Sequence, residues 1–249
     1  MGVSNNFRFH LLFLPLILVF TTSQSAHSEV VNKDADGLES TIYALDSNQQ
    51  TPLFKGKYSI LLEGERETQI NTIRDMDGNI VTVETLVAEK GIFSKYGYQR
   101  VNASEGGELI LKGNILHYTY IKDEKTKTEE LIYPQSFVVG PALTAYARTK
   151  WDTIMKGEEL PIRYGVLDRL DIFRFMLIKE GMEKRGSEDV VVVKLMPATW
   201  LVSKLVNPVY ITFSKDGSKV YKVKGRTFLL VKKDGKWEPL DAETIYHHP

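Results

Sequence analysis

Residues 141–156 read PALTAYARTKWDTIMK, and this stretch decides between the folds open to the chain. Its apolar side chains recur at the spacing of one helix face: Leu143, Tyr146, Ala147, Trp151, Ile154 and Met155. Pro141 suits the first helical position, where a missing N–H costs nothing, and Gly157 suits the position just past the end. The pattern predicts a single amphipathic helix over 141–156.

The chain on both sides of this helix has the pattern of β-strands. Asp77-Gly78, Asp216-Gly217 and Asp234-Gly235 are turn pairs that tolerate positive φ, and each lies between apolar or β-branched runs. Within those runs apolar and polar residues alternate with period two, which is typical of half-buried strands. We expect about eleven or twelve antiparallel strands, the last two starting near Val220 and Thr227, and a second short helix over Ala198–Leu205.

A many-stranded sheet must bury one apolar face, and the helix must bury its stripe. The fold class predicted is therefore mainly β: a strongly curved antiparallel meander, or half-barrel, wrapped around one amphipathic α-helix. A two-sheet sandwich is the alternative.

The N-terminus has the order of a secretory signal peptide. Arg8 precedes the apolar run of residues 11–20, and small polar residues follow. The run is too short to span a membrane, so we expect cleavage after residue 28 and no transmembrane span in the mature chain. The predicted organisation is a signal peptide (1–28), a loose N-terminus (29–40) and one β-rich domain (41–249).

The amino-acid composition excludes several classes of function. The 249 residues contain no cysteine, and 32 basic residues balance 32 acidic ones. The chain therefore has no disulfide, no thiolate nucleophile and no basic excess of the kind that nucleic-acid binders carry. An exported chain without cysteine fits a bacterial periplasm, or secretion from a bacterium.

No standard catalytic or cofactor motif occurs, so we expect no catalytic residue, metal or cofactor. His117 has the sequence setting of an ordinary strand histidine, and His247 and His248 that of a frayed tail. Asp168 with Asp171, and Glu158 with Glu159, are more typical of charged turns than of a glycosidase pair. A hydrolase with an unrecognised site stays open as a third hypothesis.

Aromatic and apolar residues gather in and after the helix. Such a group can fill a core or line an apolar cleft between helix and sheet. The candidate ligand-binding residues are Leu143, Tyr146, Trp151, Ile154, Phe173, Phe175 and Trp200. Residues 214–236 are basic, and Lys222, Lys224 and Arg226 are candidates for contact with an acidic envelope partner.

The element order over residues 54–246 resembles that of the periplasmic lipoprotein-carrier (LolA-like) half-barrels and of related uncharacterised bacterial periplasmic proteins of that shape. The stretches that carry the resemblance are GPALTAYARTKWDTIMKGEELPIRYGVLDRLDIFRFMLIKEG (140–181) and DGSKVYKVKGRTFLL (216–230). The resemblance implies an incomplete barrel that holds acyl chains in an apolar cavity beneath a helical lid. It assigns no role to an individual residue here.

The first functional hypothesis is a non-enzymatic exported protein that binds a lipid or acyl chain between curved sheet and helix. The alternative is a cell-envelope interaction or scaffold module that uses the basic C-terminal face.

Overall fold

The computed structural model describes residues 30–45, 47–199 and 207–248. Within these ranges the protein is mainly β. The strands are β1 (Glu39–Ala44), β2 (Pro52–Glu63), β3 (Arg66–Asp75), β4 (Ile80–Glu89), β5 (Ile92–Arg100), β6 (Glu105–Lys112), β7 (Ile115–Lys122), β8 (Lys125–Ile132), β9 (Phe137–Val138), β10 (Leu160–Val166), β11 (Asp171–Arg185), β12 (Glu188–Pro197), β13 (Val209–Ser214), β14 (Val220–Lys233) and β15 (Lys236–His247). The α-helices are α1 (Ala142–Thr149) and α2 (Trp151–Met155), and short 3-10 turns cover Lys33–Ala35, Val101–Ala103 and Leu167–Arg169.

All of these strands belong to one open sheet. Its order is β8-β7-β6-β5-β4-β3-β2-β1-β15-β14-β13-β12-β11-β10-β9. Neighbours are antiparallel except β9 and β10, which pair in parallel. The pairing of β1 with β15 joins the N-terminal strands to the C-terminal ones near the middle of the sheet.

The sheet is strongly curved, as the sequence predicted. The Tyr118 phenol of β7 donates a 3.4 Å hydrogen bond to the backbone carbonyl of Asp171 in β11. These strands lie eleven positions apart in the sheet order, so a flat sheet would separate them by roughly 50 Å. The guanidinium of Arg100 in β5 likewise reaches the carbonyl of Phe228 in β14 at 2.6 Å. The two halves therefore face each other.

The prediction of one continuous helix was wrong. The helix breaks at Lys150, whose backbone angles (φ −114°, ψ 19°) lie outside the helical region. The Thr149 hydroxyl donates to the carbonyl of Tyr146, and the Trp151 indole N–H donates to the carbonyl of Lys215. These side-chain contacts divide the stretch into α1 and α2.

Both helices pack their apolar faces against the sheet. Leu143, Tyr146 and Ile154 pack in a core with residues of β10 to β13. Ala142 belongs to a second core with residues of β4 to β7. Because α1 contacts both cores, it lies between the facing halves of the sheet.

The two ends of the described chain differ from expectation. The residues before β1 are packed rather than loose, since Val31 and Leu38 are buried. The C-terminus is not frayed: β15 runs to His247, which bonds the Thr41 hydroxyl, and His248 bonds the carbonyl of Val220. The prediction failed because the pairing of β1 with β15 joins residues about 200 positions apart, which local alternation does not reveal.

The described part contains fifteen strands, more than the eleven or twelve expected. The predicted starts at Val220 and Thr227 belong to one strand, β14, whose register shifts between Arg226 and Leu230. The expected signal peptide, Trp200 and most of the helix predicted over Ala198–Leu205 lie outside the described residues. No helix in the described ranges is both long and apolar enough to cross a membrane.

Candidate functional site

A small cavity with both polar and apolar lining atoms lies at the start of α1. Its volume is about 30 Å³, which is room for about one water molecule. It lies between β5, the connection from β8 to β9, and α1, and its lining residues are Val30, Phe93, Tyr133, Phe137, Val138, Val139, Ala142 and Tyr146.

Three aromatic rings form one wall of this cavity. Phe93 and Tyr133 stack with centroids 6.5 Å apart and planes at 10°. Phe137 is 5.4 Å from each of them, in tilted geometry. Burial raises the pKa of the Tyr133 phenol, so its neutral form is favoured in this apolar setting.

The outer boundary of the cavity is a short connecting segment. We call residues 133–140 the strap, because they connect edge strand β8 to α1 across the cavity. Its strand β9 pairs with β10 at Phe137 and Val138 alone. The ladder is short, but the strap is also held by packing, because Val138 and Val139 are buried in the two cores.

The predicted ligand-binding residues divide between core and surface. Leu143, Tyr146 and Ile154 are buried in the core beneath the helices. Trp151 and Phe175 are partly buried against that core, with Trp151 packed on Phe213 at 5.1 Å. Phe173 is 38% exposed. Of the predicted set, only Tyr146 is among the residues that line the cavity.

Sequence reasoning missed the other cavity residues because they come from β5, the strap and the first turn of α1. The signal was present in the segment YPQSFVVGP (133–141), where an aromatic and aliphatic run lies between two prolines. Such a run is short for a strand and unusually apolar for a loop.

A buried polar cluster lies on the inner face of the same half of the sheet. Glu84 of β4 accepts hydrogen bonds from the Asn71 amide at 3.2 Å and the Tyr96 phenol at 2.9 Å. Burial raises the pKa of Glu84 to about 7, against the opposing effect of both hydrogen bonds. Asn71 Oδ1 has no hydrogen-bond partner among the described residues.

Tyrosines surround this carboxyl. Burial raises the pKa of Tyr58, Tyr96 and Tyr164, and raises that of Tyr246 to about 12. Each of them comes from a different strand, and no cation of the described residues forms an ion pair with Glu84. The cluster therefore contains one carboxyl group among neutral tyrosines.

Gly140 lies against the cluster and follows Val139, a lining residue of the cavity. This residue ends the strap with φ +48°, and a Cβ on it would overlap the ring of Tyr96. The Gly140 backbone is also hydrogen-bonded to the Tyr164 phenol. Glu84 thus supports Tyr96, and Tyr96 supports the backbone from which α1 starts.

A second buried charge group closes the other end of this half. Arg100 pairs with Glu105, and both side chains are buried. Lys122 adds a 3.0 Å contact to Glu105. Burial alone would raise the pKa of Glu105, but the hydrogen bonds from Lys122 and Arg100 lower it below its ordinary value.

Two of the three predicted contact residues on the basic C-terminal face form ion pairs within the protein. Lys222 pairs with Glu243 at 3.2 Å and Arg226 pairs with Asp241 at 2.5 Å, both on β15. Lys224 of the same strand is exposed. Contact with an acidic partner through Lys222, Lys224 and Arg226 stays a prediction.

The remaining candidates form no converging site. His117 pairs across strands with Glu130 at 2.9 Å. Asp168 lies in a 3-10 turn and Asp171 begins β11. No group of three His, Asp or Glu side chains within the described ranges is placed to hold a metal ion.

No family model matches the chain, and no curated protein matches it. One solved structure is similar: the crystal structure of a beta-barrel-like protein of the domain of unknown function DUF1849 from Brucella abortus. The identity is 7%, the TM-score is 0.38, and the match covers 85% of this chain and 95% of that one. At this level of similarity the fold class rests on the strand order and curvature described above.

Proposed function

We propose that the protein is a non-enzymatic, exported bacterial protein that holds a lipid or acyl chain between its curved sheet and helix α1. The observation that carries the proposal is the cavity at the start of α1, which has an aromatic wall of Phe93, Tyr133 and Phe137 and is closed by the strap. The resemblance in element order to lipoprotein-carrier half-barrels agrees with it.

The cavity of about 30 Å³ is the closed form of this site. An acyl chain enters by displacing the strap, which breaks the two-residue pairing of Phe137 and Val138 with β10. Burial of the chain contributes about 0.8 kcal/mol per CH₂ group. A chain of about ten buried groups therefore contributes about 8 kcal/mol, which offsets the loss of a short ladder.

A fluorescence titration tests the site. The probe is undecanoate with a dansyl label, and unlabelled palmitate is the competitor. We expect a saturable rise in emission that palmitate reverses. Ala142→Leu places three more carbon atoms at the cavity wall, so it weakens binding at least tenfold. Ala103→Leu adds the same group in the 3-10 turn after β5 and leaves binding unchanged.

Absence of saturable binding by the wild-type protein would overturn the proposal. Equal binding by Ala142→Leu and the wild type would place the ligand elsewhere. Native mass spectrometry of the protein isolated from its producing cells provides a second readout, in which we expect a co-purifying lipid.

Export is tested separately. Cell fractionation of a bacterium that expresses the full chain should recover the protein outside the cytoplasm. N-terminal sequencing should give Glu29 as the first residue, and recovery of the uncleaved chain in the cytoplasm would contradict export.

A further inference from the structure

Strand β8 is an open sheet edge with an unusual charge pattern. It reads Lys125-Thr-Lys-Thr-Glu-Glu-Leu-Ile132, with cations in its first half and anions in its second. Every residue in it except Leu131 is exposed. The strand pairs with β7 on one side and is the last strand of the sheet on the other.

The direction of its backbone groups follows from the β7–β8 hairpin. Asp123 and Glu124 both have positive φ, as in a two-residue hairpin turn. The N–H of Tyr133 bonds the carbonyl of Asn114, which continues the ladder at its far end. The odd-numbered residues of β8 therefore bond β7. Thr126, Thr128, Glu130 and Ile132 direct their N–H and C=O groups outward, away from the sheet.

A row of outward backbone groups is a template for another strand, and soluble proteins normally protect it. Among the described residues, the outward backbone groups of β8 make one hydrogen bond to a side chain. The Glu130 N–H donates it to the Glu129 carboxylate at 3.4 Å. The charge pattern decides which strand fits. A strand that reverses the order of cations and anions is complementary, and an antiparallel copy of β8 does so.

We propose that two copies of this protein associate edge to edge through antiparallel pairing of β8, on a two-fold axis at Thr128. In this register each Lys127 faces Glu129 of the other copy at a non-hydrogen-bonded position, where side chains are closest. Thr126 faces Glu130, and about six backbone hydrogen bonds join the copies. The interface is isologous and closes as a dimer.

Other registers are less favourable. The outward N–H and C=O groups of one copy must pair with the outward groups of the other. Each allowed register therefore differs from the next by a shift of the two-fold axis by one residue. An axis at Glu129 places this carboxylate opposite itself, and an axis at Lys127 places two ammonium groups opposite each other. Like charges directly opposite destabilise a sheet. The axis at Thr128 is the one flanked on each side by opposite charges.

Engineered cysteines test the register, because the natural chain contains none. In the proposed dimer the two Thr128 Cα atoms lie about 5.5 Å apart, within the range of a disulfide. The two Thr126 Cα atoms lie roughly 13 Å apart, beyond it. We expect Thr128→Cys to form a cross-linked dimer under mild oxidation and the matched variant Thr126→Cys to stay uncross-linked.

Charge exchange is an independent test, using sedimentation velocity of the protein isolated from cells that express the full chain. Glu129→Lys weakens dimerisation at least tenfold, and the double variant Lys127→Glu with Glu129→Lys restores it. Lys233→Glu, at the tip of the β14–β15 hairpin, has no effect. A monomer at all concentrations, equal cross-linking of both cysteine variants, or a double variant as weak as the single one would overturn the proposal.

Discussion

The phenol of Tyr96 donates a 2.9 Å hydrogen bond to Oε1 of Glu84 inside the curved sheet. Because the ring of Tyr96 also lies against Gly140, this bond links a buried acid to the start of α1. The protonation state of Glu84 and the packing at the start of α1 are therefore connected through one side chain.

Replacing Glu84 should change how stability depends on pH. The folded pKa of about 7 lies above the ordinary value of 4.5, so the folded state keeps a proton that the unfolded state releases between these values. Stability from this group is full below pH 4.5 and is lost as pH rises through 7. The loss corresponds to about 3 kcal/mol at roughly 1.4 kcal/mol per pH unit.

Glu84→Gln should remove that loss, so the variant is more stable than the wild type at pH 8. Urea unfolding between pH 4.5 and 8 measures it, with the exposed Glu63→Gln as control. Parallel pH profiles for Glu84→Gln and the wild type would contradict the assignment.

Breaking the Arg100–Glu105 pair should destabilise the protein strongly. Both side chains are buried, and Arg100→Met leaves a buried carboxylate with Lys122 as its remaining cation. We expect a cost of about 3 kcal/mol in the free energy of unfolding. Lys90→Met, which breaks the exposed pair with Glu65, should cost less than about 0.5 kcal/mol. Similar costs for the two variants would show that burial does not govern the first pair.

Gly140→Ala should lower the free energy of unfolding more than the same replacement at another glycine with positive φ. Gly140 and Gly113 both have positive φ, but a Cβ overlaps Tyr96 at the first and meets open space at the second. Gly113→Ala should cost about 1 kcal/mol, and Gly140→Ala about 3 kcal/mol, because overpacking is added. Thermal unfolding of both variants checks this, and equal midpoints would refute the role of the Tyr96 contact.

The free energy of unfolding should depend more on the side chain of Ile154 than on that of Met155. Ile154 is 0% exposed within the core below α2, whereas Met155 is partly buried. Ile154→Ala should cost about 3 kcal/mol and Met155→Ala about 1 kcal/mol. Urea unfolding compares them. If the order were reversed, α2 would face the sheet with a different side from the one described.

Much of the fold followed from local pattern. Strand alternation and Asp-Gly turns gave the antiparallel meander, because side-chain period and turn dihedrals are properties of a few neighbouring residues. The stripe from Leu143 to Ile154 gave the helical region for the same reason. The break at Lys150 did not follow, since it depends on Trp151 reaching Lys215, which lies 64 residues along the chain.

The candidate site was predicted only in part. Tyr146 was found from the helix stripe, whereas Phe93 comes from β5 and Tyr133 from the strap, and no local pattern encodes their approach. Glu84 was missed because a glutamate in a strand normally faces water, and only the curvature of the sheet places this one inside.

The sequence by itself determined most of the extended segments, the helical region and the order of cations and anions along β8. The tertiary structure alone decided that the sheet bends far enough to bury Glu84, that β15 lies at its centre, and that β8 is left at its edge. Local preferences act over a few residues, whereas curvature, burial and edge position arise from contacts between residues that are distant in the chain.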